Sequence, residues 1–283
     1  MNRAFAIGII LNLAFVVIEA IYGWKVNSLS LLADAGHNLS DVAGLILAWA
    51  ALLAGKLKPN PKHTYGWQRA SILAAFSNAI ILLLAMGALS LEAIGNLRHP
   101  LPTDGATIMA VAGVGILINT LTAWMLREQV NDLNIRGAFL HMAADAAVSA
   151  GVFITGGLYL AFGWVWLDPI VSILIAVVIV VSTSGLLRQS VHLLFDGVPF
   201  KINPVDVKSY LENLDGVSEI HDLHIWGMST NETALTVHLI IPDRHPSDAF
   251  LQKVTDSLRA RFGISHATIQ IEKAAILHEF HHK

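Results

Sequence analysis

Long apolar blocks fill the first two-thirds of the chain, and apolar and polar positions alternate over shorter stretches in the last third. Six blocks are long enough to cross a bilayer, which takes about 20 helical residues each. They are Ala4–Trp24, Leu31–Leu53, Ala70–Leu97, Thr107–Leu126, Ile135–Phe162 and Leu167–Leu187. The first reads as a span rather than a cleavable signal, since no basic segment and small-residue cleavage site frame it. From Lys201 the pattern changes. Asn203-Pro204 reads as an N-cap and first helical residue, opening a helix to about Leu214. Strand-like alternation follows over Val217–Met228 and Glu232–Pro242. Ser247 opens a second helix that ends at Gly263, and His266–Glu272 is a last strand. The expected fold is a membrane α-helical domain of six transmembrane helices, residues 1–200, and an α+β, ferredoxin-like (α-β-β-α-β) cytoplasmic domain, residues 201–275. A His-rich tail, 276–283, ends the chain.

Composition supports this division. Hydrophobic residues make up 54% of the chain and charged residues 14%, against about 25% charged in soluble domains. A net charge of −3 excludes a broadly basic nucleic-acid binder. No Cys occurs, so disulfides, iron–sulfur clusters and thiolate zinc sites are excluded, and any metal chemistry must use the 13 His and the carboxylates. Basic residues near the span ends set the expected orientation. Arg3, the Lys56–Arg69 loop, Arg127, Arg136 and Arg188 fall on one side, and only Lys25 and Arg98 on the other. Both termini are therefore expected in the cytoplasm.

An ionisable residue inside a span is costly and is a functional candidate by default. The second block contains His37-x-x-x-Asp41 and the fifth contains His141-x-x-x-Asp145. Residues i and i+4 lie on one helical face. Asp41 lies ten residues past Leu31 and Asp145 ten past Ile135, roughly 15 Å into a core about 30 Å thick. The two pairs meet near the same depth. Together they offer two nitrogens and two oxygens, a set suited to Zn²⁺. Asp34 shares the face of His37 and Asp41, as an outer vestibule or a water-facing carboxylate. Glu19, Glu92 and Asp168 read as reaching the interface, and Asn12, Asn78 and Asn119 as hydrogen bonds between helices.

These motifs, with Leu31-Leu-Ala-Asp-Ala-Gly-His-Asn-Leu-Ser-Asp41, His63-Thr-Tyr-Gly-Trp67 and His221-Asp-Leu-His-Ile-Trp226, resemble the cation diffusion facilitators over almost the whole chain. The resemblance implies a homodimeric zinc/proton exchanger in a bacterial cytoplasmic (inner) membrane, with Cd²⁺ and Co²⁺ as further cargo. It implies zinc preference from His37, where cadmium-tolerant members carry Asp. It also implies a charge lock of Arg69 and Asp196 across the dimer. A loop site of family members needs an Asp and two His; here Asn60 and Trp67 stand where ligands would be, beside His63, so no high-affinity loop site is expected.

In the C-terminal domain, alternation turns Leu235, Val237, Leu239 and Ile241 toward the helices and His238 away. It likewise turns His266, Gln270 and Glu272 outward. His221, His238 and Glu272 match family ligand positions, and His266 matches less well. Simple alternation puts His221 with Leu223 and Ile225, so it needs a twist or strand end to join the others. A second zinc ligand set of His221, His238, His266 and Glu272 is expected there, against a plain polar sheet face. His278, Glu279, His281 and His282 form either a weak metal-binding tract or a solvated tail. Two rival functions are an intramembrane metal-dependent hydrolase, which needs an open coordination position and a general base, and a metal sensor without transport.

Overall fold

The computed structural model describes residues 3–99, 101–126, 133–243 and 246–274. Arg127 and the tail residues His278, Glu279, His281 and His282 lie outside these. Six long helices come first: α1 (Arg3–Lys25), α2 (Leu29–Gly55), α3 (Ala70–Arg98), α4 (Gly105–Leu126), α5 (Leu133–Phe162) and α6 (Leu167–Leu194). The sixth runs seven residues past its expected end at Leu187, carrying Arg188, Gln189 and His192. Over the described residues, α2 to α6 are each long and apolar enough to cross a membrane. The chain forms two compact units. One takes in residues up to Leu47 and Ser77–Leu187, and the other Ala48–Phe76 and the chain from Arg188.

In the first unit all six helices contribute to one core, with Phe15, Leu31, Met86, Ile108, Val152 and Ala176 buried together. Its outward side chains are as apolar as its inward ones: Leu84, Leu91, Leu117 and Val181 are largely exposed. The buried set instead includes Glu19, Asp34, Asn38, Asn119 and Asp145. Apolar outside and ionisable inside is the arrangement a bilayer imposes. Helices α4 and α5 approach closely through glycine. A Cβ on Gly105 would stand 2.7 Å from the Gly156 carbonyl oxygen, so no larger residue fits without displacing backbone. Neither side-chain polar atom of Asn119 has a hydrogen-bond partner among the described residues, so it does not bond helices together as expected.

Asp168 is also placed differently from its expected interfacial position. It is buried in the first turn of α6. Its carboxylate accepts from Ser28 Oγ at 2.7 Å and from the backbone N–H groups of Leu29 at 2.8 Å and Ser30 at 3.4 Å, and it is bonded to Ser30 Oγ. The first N–H groups of a helix have no partner within it. Here a carboxylate from another helix supplies the acceptor and the negative charge that the N-terminus favours. The residues that follow, from Leu31 to Asp41, carry the ionisable face of α2, so this cap fixes where that face begins.

The C-terminal domain has the order α7 (Pro204–Glu212), β1 (Glu219–Gly227), β2 (Thr233–Ile240), α8 (Asp248–Phe262) and β3 (His266–Glu272). Asn203 caps α7 by accepting from the Val205 N–H, and Ser247 caps α8. Gly263, at φ 71°, ends α8 in the left-handed conformation. The sheet order is β1-β2-β3, antiparallel then parallel. Val207 and Leu211 of α7 and Val254 and Leu258 of α8 share one core with Ile220, Ile225, Leu235, Val237 and Leu239. Both helices thus cover one sheet face.

The Asp168→Ala variant should lower the thermal unfolding midpoint of detergent-solubilised protein. Removing a buried acceptor that leaves donors unpaired costs about 1–3 kcal/mol. A midpoint equal to the parent's would show that this cap does not stabilise the bundle.

Candidate metal sites

Helices α2 and α5 bring His37, Asp41, His141 and Asp145 together. His37 Nε2 lies 3.8 Å from Asp41 Oδ2 and 3.6 Å from Asp145 Oδ1. His141 Nε2 lies 3.1 Å from Asp41 Oδ2 and 3.7 Å from Asp145 Oδ2. Imidazole and carboxylate alternate around a ring, and each nitrogen faces a carboxylate of its own helix and one of the other. The imidazole centres are 6.0 Å apart at 78°. Tetrahedral zinc with bonds of about 2.0–2.1 Å sets its donors about 3.3 Å apart, close to the four nitrogen–oxygen separations. Asp41 Oδ2 and Asp145 Oδ2 are buried and face imidazole nitrogens 3.1–3.8 Å away without a well-aligned hydrogen bond. Buried carboxylate oxygens not committed to a strong hydrogen bond are suited to a cation. This donor set fits a divalent metal as cargo.

Behind this ring lies a set of residues that sequence reading placed elsewhere. Asp34 is wholly buried rather than vestibular. It accepts from Asn38 Nδ2 at 3.3 Å and from Ser149 Oγ of α5 at 2.9 Å. Ser149 extends the His141, Asp145 stripe by four residues, a spacing that could have flagged it. Glu19 of α1, expected at the interface, is also wholly buried and lies against Asp34 and Asn38.

In the C-terminal domain, donor atoms of His221, His238 and Glu272 all lie within 4.8 Å of one another. His221 Nε2 is 3.0 Å from Glu272 Oε2, and His238 Nδ1 is 2.9 Å from Glu272 Oε1. A β-bulge brings His221 in. His221 pairs with His238 and His224 with Thr236, so Asp222 and Leu223 together oppose Val237 alone. The extra residue shifts alternation by one. Ile220 and Ile225 keep the core face, and His221 turns to the other. Asp222 takes φ 53° at the bulge. Its carboxylate lies 2.9 Å from His224 Nε2 and 3.7 Å from His238 Nε2. The His224 hydrogen bond, followed by the His224, His238 and His221 charges, holds Asp222 below the usual carboxylate range. That contribution is present above the ordinary carboxylate pKa and is lost as pH falls through the depressed one. Gln270, which sequence alternation turned outward without a role, donates to Glu272 Oε1 at 2.8 Å.

His266 does not join this cluster. It shares a face with Gln270 and Glu272 but pairs with Ala234, at the far end of the strand from the Glu272–Ile240 pair. Six residues at about 3.3 Å each separate the two ends by roughly 20 Å. Its ring instead stands edge-on to Tyr65, 5.9 Å between centres. In the loop before α3, Asn60 Oδ1 accepts the N–H groups of Lys62 and His63, and His63 stacks on Trp67 at 4.3 Å. Arg69 Nη2 bonds Asp196 Oδ1 within one chain, where the family resemblance implied pairing across a dimer. Both side chains are more than half exposed, and such pairs contribute about 0–1 kcal/mol.

Residues 5–195 match the model of the cation efflux transmembrane domain, and residues 201–274 that of the cation efflux protein cytoplasmic domain. The chain belongs to the cation efflux family. Among its relatives, the cadmium, cobalt and zinc/H⁺–K⁺ antiporter of Bacillus velezensis is 35% identical over 98% of this chain and 90% of its own length. The zinc transporter ZitB of Escherichia coli is 36% identical over 91% of this chain and 83% of its own. The cation efflux system protein CzcD of an Alcaligenes strain is 34% identical over 96% and 87%.

A β-branched residue at φ 53° is strained by roughly 1–2 kcal/mol, and glycine is not. Asp222→Val should therefore lower the thermal midpoint of the C-terminal domain well below that of Asp222→Gly. Equal midpoints would show that the bulge does not depend on this backbone conformation.

Proposed function

We propose that this chain is a secondary transporter that exports Zn²⁺ from the cytoplasm in exchange for protons, with Cd²⁺ and Co²⁺ as further cargo. The ring of His37, Asp41, His141 and Asp145 carries this reading. Two carboxylates offset the charge of a divalent ion inside an apolar bundle, and two imidazoles favour a borderline-soft one. The named activities of the Bacillus, Escherichia and Alcaligenes relatives, metal antiport, zinc transport and cation efflux, support it. They do not favour an enzyme, and a ring of four donors offers no open coordination position for hydrolysis. A sensor would need no site between two membrane helices.

Ligation requires neutral imidazole and ionised carboxylate, so protons and metal compete for the same atoms. In the state open to the cytoplasm the four side chains exchange water ligands for their own. When the bundle rearranges, protonation of the same groups from the other side releases the ion. An inward proton gradient then drives the metal outward, and rocking of helices within each protomer alternates access. Both termini and the C-terminal domain face the cytoplasm in this scheme, and two chains pair through that domain. His221, His238 and Glu272 would hold a second zinc, with Gln270 orienting the carboxylate. Binding there stabilises only the arrangement that presents all three donors.

In proteoliposomes, Asp145→Ala should reduce proton-driven zinc flux by more than about 100-fold, as expected for loss of a metal ligand. Parent-like flux would sink the assignment. The double variant His238→Ala/Glu272→Ala should bind one zinc fewer per chain in equilibrium dialysis and still transport, with its zinc dependence shifted to higher concentration. His266→Ala should keep the parent's stoichiometry. A double variant that binds as many zinc ions as the parent would show that the cluster is only a polar face.

A further inference from the structure

Glu19 takes no part in the metal ring, yet it is as deeply buried as any residue in the bundle. Neither of its carboxylate oxygens accepts a well-formed hydrogen bond among the described residues, although Asn38 lies beside it. What it lies against is a second wholly buried carboxyl, Asp34, together with Asn38. The remaining titratable neighbour is Asp145 of α5, which acts at longer range, and His37 flanks Asp34 one turn along α2. Helix α4, which packs on α1, has no titratable side chain. The sequence places no Lys or Arg at 4–24, 26–55, 70–97, 101–126 or 137–187, so the spans supply no permanent cation beside the pair.

Two carboxylates in contact repel, and in a medium without water that repulsion is little screened. They form a hydrogen bond only by sharing a proton, as acid pairs in enzymes do. The structure also indicates which of the two holds it. Asp34 accepts a bond at each oxygen, from Asn38 Nδ2 and Ser149 Oγ, and accepted bonds favour the ionised form. Glu19 accepts no well-formed bond among the described residues. We propose that Glu19 holds a proton that it donates to Asp34, and that this buried pair is a proton-carrying site separate from the metal ligands.

Its position links it to the cargo. Asp34 lies three residues before His37 on α2, and Ser149 lies four residues after Asp145 on α5. The Asp34–Ser149 bond therefore sits about one helical turn, roughly 5 Å, from the ring. A divalent ion in the ring brings two positive charges to that distance and favours ionised Glu19. The proton leaves to water as the metal enters, and returns when the metal leaves. The site thus adds a proton to the exchange beyond those displaced from the ligands themselves. This inference rests on the transport reading above.

The test is a calorimetric zinc titration of full-length protein in detergent at neutral pH, in buffers of different protonation enthalpy. A His238→Ala background keeps the C-terminal cluster from contributing. Glu19→Gln should keep zinc affinity within a few-fold and release about one proton fewer per zinc. An equal proton count with zinc binding preserved overturns the proposal. So does an unchanged count in which the variant instead loses a potassium dependence of zinc affinity, which would assign the pair to a metal cation. If Glu19→Gln does not fold, infrared difference spectra of the parent decide. Zinc should remove the carbonyl band of a protonated carboxylic acid that Glu19→Asp shifts, and absence of such a band overturns the proposal. Zinc binding by Asp145→Ala equal to the parent's would instead refute the transport site.

Discussion

Charge inside an apolar bundle must be balanced on the spot, because no water is there to do it. The described interior of the first unit follows from that constraint. Apart from Glu19, each buried carboxylate described there is met by a group that offsets it. Asp168 has the N-terminus of α2 and two serine hydroxyls. Asp41 and Asp145 have imidazoles from both helices. Asp34 has an amide and a hydroxyl. These contacts also fix the helices in register. The Asp168 cap sets the start of α2, the ring sets α2 against α5, and the Asp34–Ser149 bond repeats that link one turn away.

The C-terminal domain solves a different problem in water. Its sheet must bury one face under α7 and α8 while presenting imidazoles on the other. Strict alternation would bury His221 among Leu223 and Ile225. One inserted residue, with Asp222 at φ 53°, breaks the alternation where β1 passes His238. The local strain of a non-glycine residue at positive φ, about 1–2 kcal/mol, is offset by a hydrogen bond from His224 and by the Ile220 and Ile225 side chains remaining in the core.

What could be read from the sequence divides along the same physical lines. Span lengths, the two His-x-x-x-Asp pairs and the α-β-β-α-β order are local patterns, and the helices, ring contacts and sheet follow them. Glu19 and Asp168 were misplaced because helices apolar on every side carry no signal of which side faces inward. A carboxylate near a span end then reads as interfacial, whether it is or not. His266 was grouped with His238 and Glu272 because alternation reports a shared face and says nothing of distance along it. His221 needed a bulge, and bulges leave little trace in residue type when the inserted residue is Asp rather than Gly. The family resemblance pairs Arg69 with Asp196 across a dimer, and the same two side chains bond within this chain.

The two layers beside each other in the bundle differ in chemistry as well as position. The ring presents two nitrogens and two carboxylates, donors that a borderline-soft divalent ion prefers. The layer of Glu19, Asp34, Asn38 and Ser149 presents mainly oxygen, and Asp34 is already committed to two hydrogen bonds. A divalent ion entering that layer would have to displace those bonds without gaining a nitrogen donor. A proton needs only the gap between two carboxyl oxygens. Differences in donor type and in space can therefore keep the two positive charges in separate layers, while a separation of about one turn lets each sense the other. That combination, distinct sites that are close enough to repel, is the physical requirement for exchanging one cation for another.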